Sequence, residues 1–134
     1  MTTAVDSNLL IDVIGQPNEF TDAGVAALDA ALQKGALLVC PVVVAETAGH
    51  FPSGEVLRAT FHAMHLEMRA FDWLDLHRAG EAYVNYCRRS RAPKQRMLAD
   101  FLVAAHAFTH ADGLLTRDRG YYRAYFPKLA LIEP

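Results

Sequence analysis

Arg96-Met97-Leu98-Ala99-Asp100-Phe101-Leu102-Val103-Ala104-Ala105-His106-Ala107-Phe108-Thr109-His110, followed after two residues by Gly113-Leu114-Leu115-Thr116, decides the fold class of this 134-residue chain. The first segment reads as an almost wholly apolar helix and the second as a short strand. A buried helix that leads directly into a strand is one step of an alternation that runs through the whole sequence.

Upstream, Thr2 to Asp6 predicts a short buried strand, and Ser7 to Ile14 a helix ended by Gly15 and Pro17. Phe20, Ala23, Ala27, Leu28, Ala31 and Leu32 recur at helical spacing, so a helix is expected over 20–34, with Thr21 as a candidate cap and Gly35 as its stop. Ala36 to Cys40 predicts a second strand, and Pro41 suits the first turn of a helix carrying Val44 and Glu46. A helix is expected over 55–70, a third strand over 71–75 with Phe71 and Trp73 in the core, and a helix over 76–91. Met64 and Met68 are expected to share an apolar helical stripe with Leu57 and Phe61. Leu129 to Ile132 predicts a fifth strand. Strands alternating with helices specify an α/β sandwich around a mostly parallel sheet of about five strands.

With 52% hydrophobic residues, the chain suits one domain, residues 1–134, with a substantial core. The N-terminus lacks a basic leader segment, and the longest charge-free apolar run, Ala36 to Ala45, is half of the ~20 residues that a membrane span needs. A soluble, cytoplasmic protein with no membrane partner is therefore expected. Cys40 and Cys87 lack metal-binding spacing and are expected as reduced, buried thiols. The net charge of −2 conceals an asymmetry, with −7 on residues 1–84 and +5 on residues 85–134. Such a split points to an anionic partner. Its densest part is the run Arg88-Arg89-Ser90-Arg91-Ala92-Pro93-Lys94-Gln95-Arg96, with five cations in nine residues.

Four acids stand out from the rest. Asp6 closes the first apolar run, Glu46 lies in Val42-Val43-Val44-Ala45-Glu46-Thr47, Asp100 interrupts the apolar helix, and Asp118 follows Leu114-Leu115-Thr116-Arg117. Carboxylates embedded in apolar sequence must be paired, protonated or bound to a metal. Each alone reads equally well as a cap or a salt bridge, Asp100 with Arg96 for instance. Open α/β sheets bind ligands at the carboxyl ends of their strands, however, and all four are expected to meet at one such edge. An oxygen-only donor set favours Mg²⁺ or Mn²⁺ over zinc. By contrast, Asp22, Asp29, Glu55, Glu67, Asp75 and Glu81 lie in mixed polar surroundings and are expected on solvated faces, with Asp12 on the outside of its helix. Among the scattered histidines, His62 and His65 have the spacing of a metal pair but no third ligand nearby.

Asp6-Ser7-Asn8, Glu46, Arg96-x-x-x-Asp100-Phe101-Leu102-Val103-Ala104-Ala105-His106-Ala107 and Leu114-Leu115-Thr116-Arg117-Asp118-Arg119-Gly120-Tyr121-Tyr122 together resemble the PIN-domain ribonucleases, most closely the VapC-type toxins of bacterial toxin–antitoxin pairs. The resemblance extends over essentially the whole chain, including Tyr125-Phe126-Pro127-x-Leu129. It implies a small three-layer α/β/α sandwich with metal-dependent endoribonuclease activity, a hydrolase of RNA phosphodiester bonds. It further implies a homodimer held inactive by a cognate antitoxin. Position by position, Asp6, Glu46, Asp100 and Asp118 would be the acidic tetrad that holds one or two Mg²⁺ or Mn²⁺ ions. Thr116 would be the supporting hydroxyl, and Ser7 and Asn8 would support the first acid. Arg88, Arg89, Arg91, Lys94, Arg96, Arg117 and Arg119 would then grip the RNA backbone, the arginine forks matching phosphate oxygens. Tyr121, Tyr122 and Tyr125 are candidates to stack bases, with core packing expected for at least two of them. An antitoxin helix is expected in an apolar groove beside the helices at 20–34 and 42–50.

Two rival readings remain open on sequence alone. A phosphoacceptor receiver-like domain would need an acid ending the third strand, for which Asp75 could serve, and a Lys after the fifth, whereas Lys128 precedes it. A catalytically silent PIN-like module that only grips RNA or protein would have no need of four mutually repelling carboxylates.

Overall fold

Thr3, Ala4 and Val5 form strand β1, and all three are buried. Successive side chains of a strand point to opposite faces, so a strand buried at every position must be covered on both. The same holds for β2 (Leu37–Val39) and β4 (Gly113–Leu115). In the computed structural model, which describes every residue except Arg119, these pair in parallel with β3 (Leu66–Met68) and β5 (Leu131–Ile132). The sheet order is β3-β2-β1-β4-β5.

Among the described residues, seven α-helices connect and flank the strands: α1 (Ser7–Ile14), α2 (Thr21–Lys34), α3 (Pro41–Thr47), α4 (Gly54–Ala63), α5 (Trp73–Arg89), α6 (Met97–His110) and α7 (Gly120–Tyr125). Pro41 occupies the first turn of α3, where its missing N–H is no loss. Gly35 ends α2 at φ 156°, and a Cβ there would sit 1.7 Å from the Met1 carbonyl oxygen, so no other residue fits this corner. The apolar character of α6 has a direct cause. Val103, Ala104 and Ala107 pack into the main core around β1, β2 and β4, whereas Phe101 and Ala105 join Ala79, Ala82 and Tyr86 of α5 in a second core. Small side chains at that second contact let the two helices approach closely.

The α/β class and the strand alternation are as the sequence predicts, and the sheet is wholly parallel. Two elements differ. The helix expected over 55–70 stops at Ala63, because His65 adopts φ 59°, a left-handed conformation that no helix continues through. The chain then forms β3 at Leu66–Met68, placing Met68 at the surface instead of in a helical stripe. The strand expected over 71–75 is the start of α5: the Asp72 carboxylate accepts from the Asp75 N–H at 2.9 Å while Asp75 accepts from the Asp72 N–H at 3.0 Å. This reciprocal cap fixes a helix start. Trp73 sits in its first turn, 87% exposed, and not in the core.

Candidate metal centre at the carboxyl edge of the sheet

The strand order reverses between β1 and β4, the place where open α/β sheets leave a crevice beyond their carboxyl ends. Val5 pairs with Leu115, so Asp6 and Thr116 emerge side by side, and the Asp6 N–H donates to the Leu115 carbonyl at 3.0 Å. Asp6 is also the N-cap of α1, its Oδ1 accepting from the Ser7 N–H at 2.7 Å. Its Oδ2 accepts from the hydroxyls of Thr116 at 2.7 Å and Tyr122 at 2.9 Å, and from Asn8 Nδ2 at 3.4 Å.

Thr116 is the hub of this set. Its Oγ1 donates to Asp6 and accepts from Asn8 Nδ2 at 3.1 Å and from the Asp118 N–H at 3.0 Å. A buried hydroxyl satisfied in this way fixes three neighbours at once. Glu46 projects from α3 and accepts from Ser7 Oγ at 3.1 Å. Asp118 closes its own turn by accepting from the Gly120 N–H at 3.2 Å. Asp100 lies one turn into α6, and its carboxylate takes no hydrogen bond among the described residues.

The electrostatics join the four acids into one site. Burial pushes Asp100 up to about 6, with Asp6, Glu46 and Asp118 adding to the rise and Arg96 opposing it. Burial also raises Asp6, against the hydrogen bonds from Thr116, Tyr122 and Ser7 and with the help of Asp118. Glu46 is raised by burial and by Asp6, while Ser7 opposes. Mutual repulsion of this kind is relieved by a cation. The donors are all oxygens, and among the described residues no three of the four acids bring ligand atoms within 4.8 Å of one another. That open spacing suits Mg²⁺, which keeps several waters and takes few direct carboxylates. The residues present therefore fit a hard divalent ion.

The cations distribute differently from the acids. Arg96 precedes α6 and acts on Asp100, whereas Arg88 and Arg89 end α5 and Arg91 and Lys94 are exposed in the following loop. The Arg89 guanidinium lies 5.7 Å from the centre of the Tyr125 ring. Arg117 is engaged within the fold. Its Nε and Nη2 donate to Asp12 at 2.6 and 3.1 Å, and it stacks 4.0 Å from the centre of the Phe20 ring. Asp12 is accordingly buried, 4% exposed, and not on a solvated face. Arg119 lies outside the described residues. Tyr122, a candidate base-stacking residue by sequence, is buried with its hydroxyl on Asp6, whereas Tyr121 is exposed.

Residues 3–127 match the PIN domain. The chain belongs to the PIN domain family. The solved structures similar to this PIN domain include VapBC2 from Rickettsia felis bound to a DNA fragment from their promoter, at 18% identity and a TM-score of 0.71, covering 99% of this chain and 98% of that one. VapBC-1 from nontypeable Haemophilus influenzae is 18% identical with a TM-score of 0.69, covering 99% and 98%. FitAcB from Neisseria gonorrhoeae is 20% identical with a TM-score of 0.63, covering 97% and 96%. No curated protein matches the sequence. At these identities the structures establish the PIN fold, in agreement with the sheet and helices above. No described helix is long and apolar enough to cross a membrane.

Proposed function

We propose that this PIN domain is a Mg²⁺- or Mn²⁺-dependent endoribonuclease, the toxin of a toxin–antitoxin pair. The observation that carries the reading is the convergence of Asp6, Glu46, Asp100 and Asp118 on one crevice, with the first acid held by Ser7, Asn8, Thr116 and Tyr122. Asp6, Glu46, Asp100 and Asp118 would hold the cation, some of them through its bound waters, with Glu46 tied to Ser7 on α3. One or two bound ions would supply a water of lowered pKa and neutralise charge on the scissile phosphate. The chain's own contribution is to fix the carboxylates and to oppose, through donated hydrogen bonds, the burial that raises Asp6. Arg96, together with Arg88, Arg89, Arg91 and Lys94, would hold the RNA backbone.

The antitoxin partner is supported by the VapBC and FitAcB structures that share the fold. An apolar groove beside the helix that carries Glu46 is lined by Val44, Leu57, Phe61, Leu66 and Met68. An amphipathic antitoxin helix would lie there and send a basic side chain to the acids. A homodimer would use the face of α5 on which Trp73, Leu76 and Val84 are exposed at helical spacing. Sedimentation of a Val84→Arg variant tests that contact, monomer being the expected result.

The deciding experiment is cleavage of a mixed RNA pool by the purified chain with Mg²⁺ or Mn²⁺, with and without chelator, beside Asp6→Asn and Asp100→Asn. Cleavage that needs the cation and vanishes in both variants is expected. Binding of RNA without cleavage under every cation would instead identify a silent binding module.

A further inference from the structure

Helix α6 links the acidic crevice to a second group of ionisable side chains for which the nuclease reading has no use. Asp100 and His110 are ten residues apart, roughly 15 Å along the helix at about 1.5 Å per residue. At the far end, Asp75 of α5 and His106 and His110 of α6 bring one ligand atom each within 4.8 Å of one another. His110 Nε2 lies 2.8 Å from Asp75 Oδ2 and 3.4 Å from Asp72 Oδ2. His106 Nε2 lies 2.9 Å from the Arg69 carbonyl oxygen.

Four features distinguish this group from an ordinary buried ion pair. A carbonyl only accepts, so His106 carries its proton on Nε2 and leaves Nδ1 with a free lone pair. A histidine whose other N–H is held by a backbone carbonyl is the usual supported metal ligand. Asp75 is fully buried, yet its Oδ1 has no hydrogen-bond partner, so the pair with His110 leaves a buried acceptor unanswered. Finally, the donors stand on rigid elements: His106 and His110 are one turn apart on the same face of α6, and the second core packs α6 against α5. For bonds of ~2.0 Å, a tetrahedral ion separates its ligand atoms by roughly 3.3 Å. The 3.4 Å between His110 Nε2 and Asp72 Oδ2 matches that spacing, and the 2.8 Å to Asp75 is a hydrogen bond that an ion would replace with a small outward shift.

We propose that Asp75, His106 and His110, completed by the half-exposed Asp72, form a second cation site, selective for an imidazole-binding divalent ion such as Zn²⁺. Two imidazoles separate it in chemistry from the oxygen-only crevice. An ion there would staple the start of α5 to the end of α6, and Asp72, half open to solvent, is its way in.

The test uses Co²⁺ as a spectroscopic probe on the full chain, stripped with chelator and then held in excess Mg²⁺ to occupy the acidic crevice. One equivalent of Co²⁺ with strong tetrahedral visible bands is expected, displaced by Zn²⁺ and retained in Asp100→Asn. His110→Gln keeps a hydrogen-bond donor for Asp75 but removes the ligand, and should abolish the bands. Asp72→Asn, at a half-exposed position, should weaken Co²⁺ binding about tenfold. Only weak octahedral bands in the wild-type chain would overturn the proposal, as would bands that survive His110→Gln or disappear in Asp100→Asn. If His110→Gln fails to fold by circular dichroism, unchanged Co²⁺ affinity in Asp72→Asn overturns the four-ligand site. None of these outcomes depends on RNA cleavage, so the nuclease reading stands or falls separately.

Discussion

The Tyr122 hydroxyl donates to Asp6 Oδ2 at 2.9 Å across a separation of 116 residues, in a buried setting. Donors to a carboxylate stabilise its charged form, so this phenol opposes the burial that raises Asp6. Tyr122→Phe should therefore raise the Asp6 pKa further and weaken Mn²⁺ binding by about 10- to 100-fold. The loss of stability should be only about 1 kcal/mol, because Thr116 and Ser7 still serve the carboxylate. Calorimetric titration with Mn²⁺ beside a thermal melt separates the two effects, and unchanged affinity would reduce the phenol to a packing group.

Asp100 gives the site its pH dependence. Its folded pKa of about 6 stands above the ordinary 3.8, so the folded protein binds the extra proton. Its contribution to stability is full below the ordinary value and is lost as pH rises through about 6. Asp6 and Glu46, also raised, act in the same direction. Metal-free wild-type protein should thus melt lower at pH 7 than Asp100→Asn, by about 2–4 °C. Cation affinity should run the other way and fall below pH 6, since the proton competes for the same oxygen. Melts and Mn²⁺ titrations between pH 4 and 8 check both limbs.

Arg117 predicts a structural phenotype. Its removal leaves Asp12, with a side chain 6% exposed, beside only the Asn18 amide, at 3.3 Å, among the described residues. Arg117→Ala should destabilise the fold by about 3 kcal/mol. Lys should rescue little of this, because it offers no fork to match the two Asp12 oxygens. A wild-type denaturation midpoint together with a flatter salt dependence of RNA binding would return Arg117 to the RNA-binding set.

The remaining basic run makes its prediction in salt. Replacing Arg88, Arg89 and Arg91 by Ala should lower the slope of log affinity against log salt by about 2, at ~0.7 for each phosphate contact to a single strand. Cleavage at saturating RNA should persist. An unchanged slope would leave these side chains as a solvated loop.

The sequence exposes those parts of the molecule whose signal is local. The apolar α6, Pro41 at the start of α3, Gly35 after α2 and the acids closing β1 and entering α6 all carry their meaning within a few residues. What misleads is a conflict between two local signals. Phe71-Asp72-Trp73-Leu74-Asp75 alternates like a strand, yet the mutual hydrogen bonds of Asp72 and Asp75 make it a helix start. Leu66-Glu67-Met68 is too short to announce a strand, and only the turn at His65 separates it from α4. The partners of Asp12, Asp75 and Tyr122 are 105, 35 and 116 residues away, and no spacing rule reaches so far. For Tyr122 the usable hint is its place after the Asp118 turn, and for His106 and His110 the one-turn spacing on an apolar helix.

The hydrogen bonds to Asp6 carry a consequence for synthesis. Its first donor, Ser7, is the next residue made, whereas Thr116 and Tyr122 come after 109 and 115 further residues. β4 and α7 must have left the ribosome and docked before that carboxylate is fully held. A growing chain therefore carries an incomplete crevice while the residues between Ser7 and Tyr122 are made. The constellation matures only once β4 and α7 have docked, a built-in delay between making the first carboxylate and completing its surroundings.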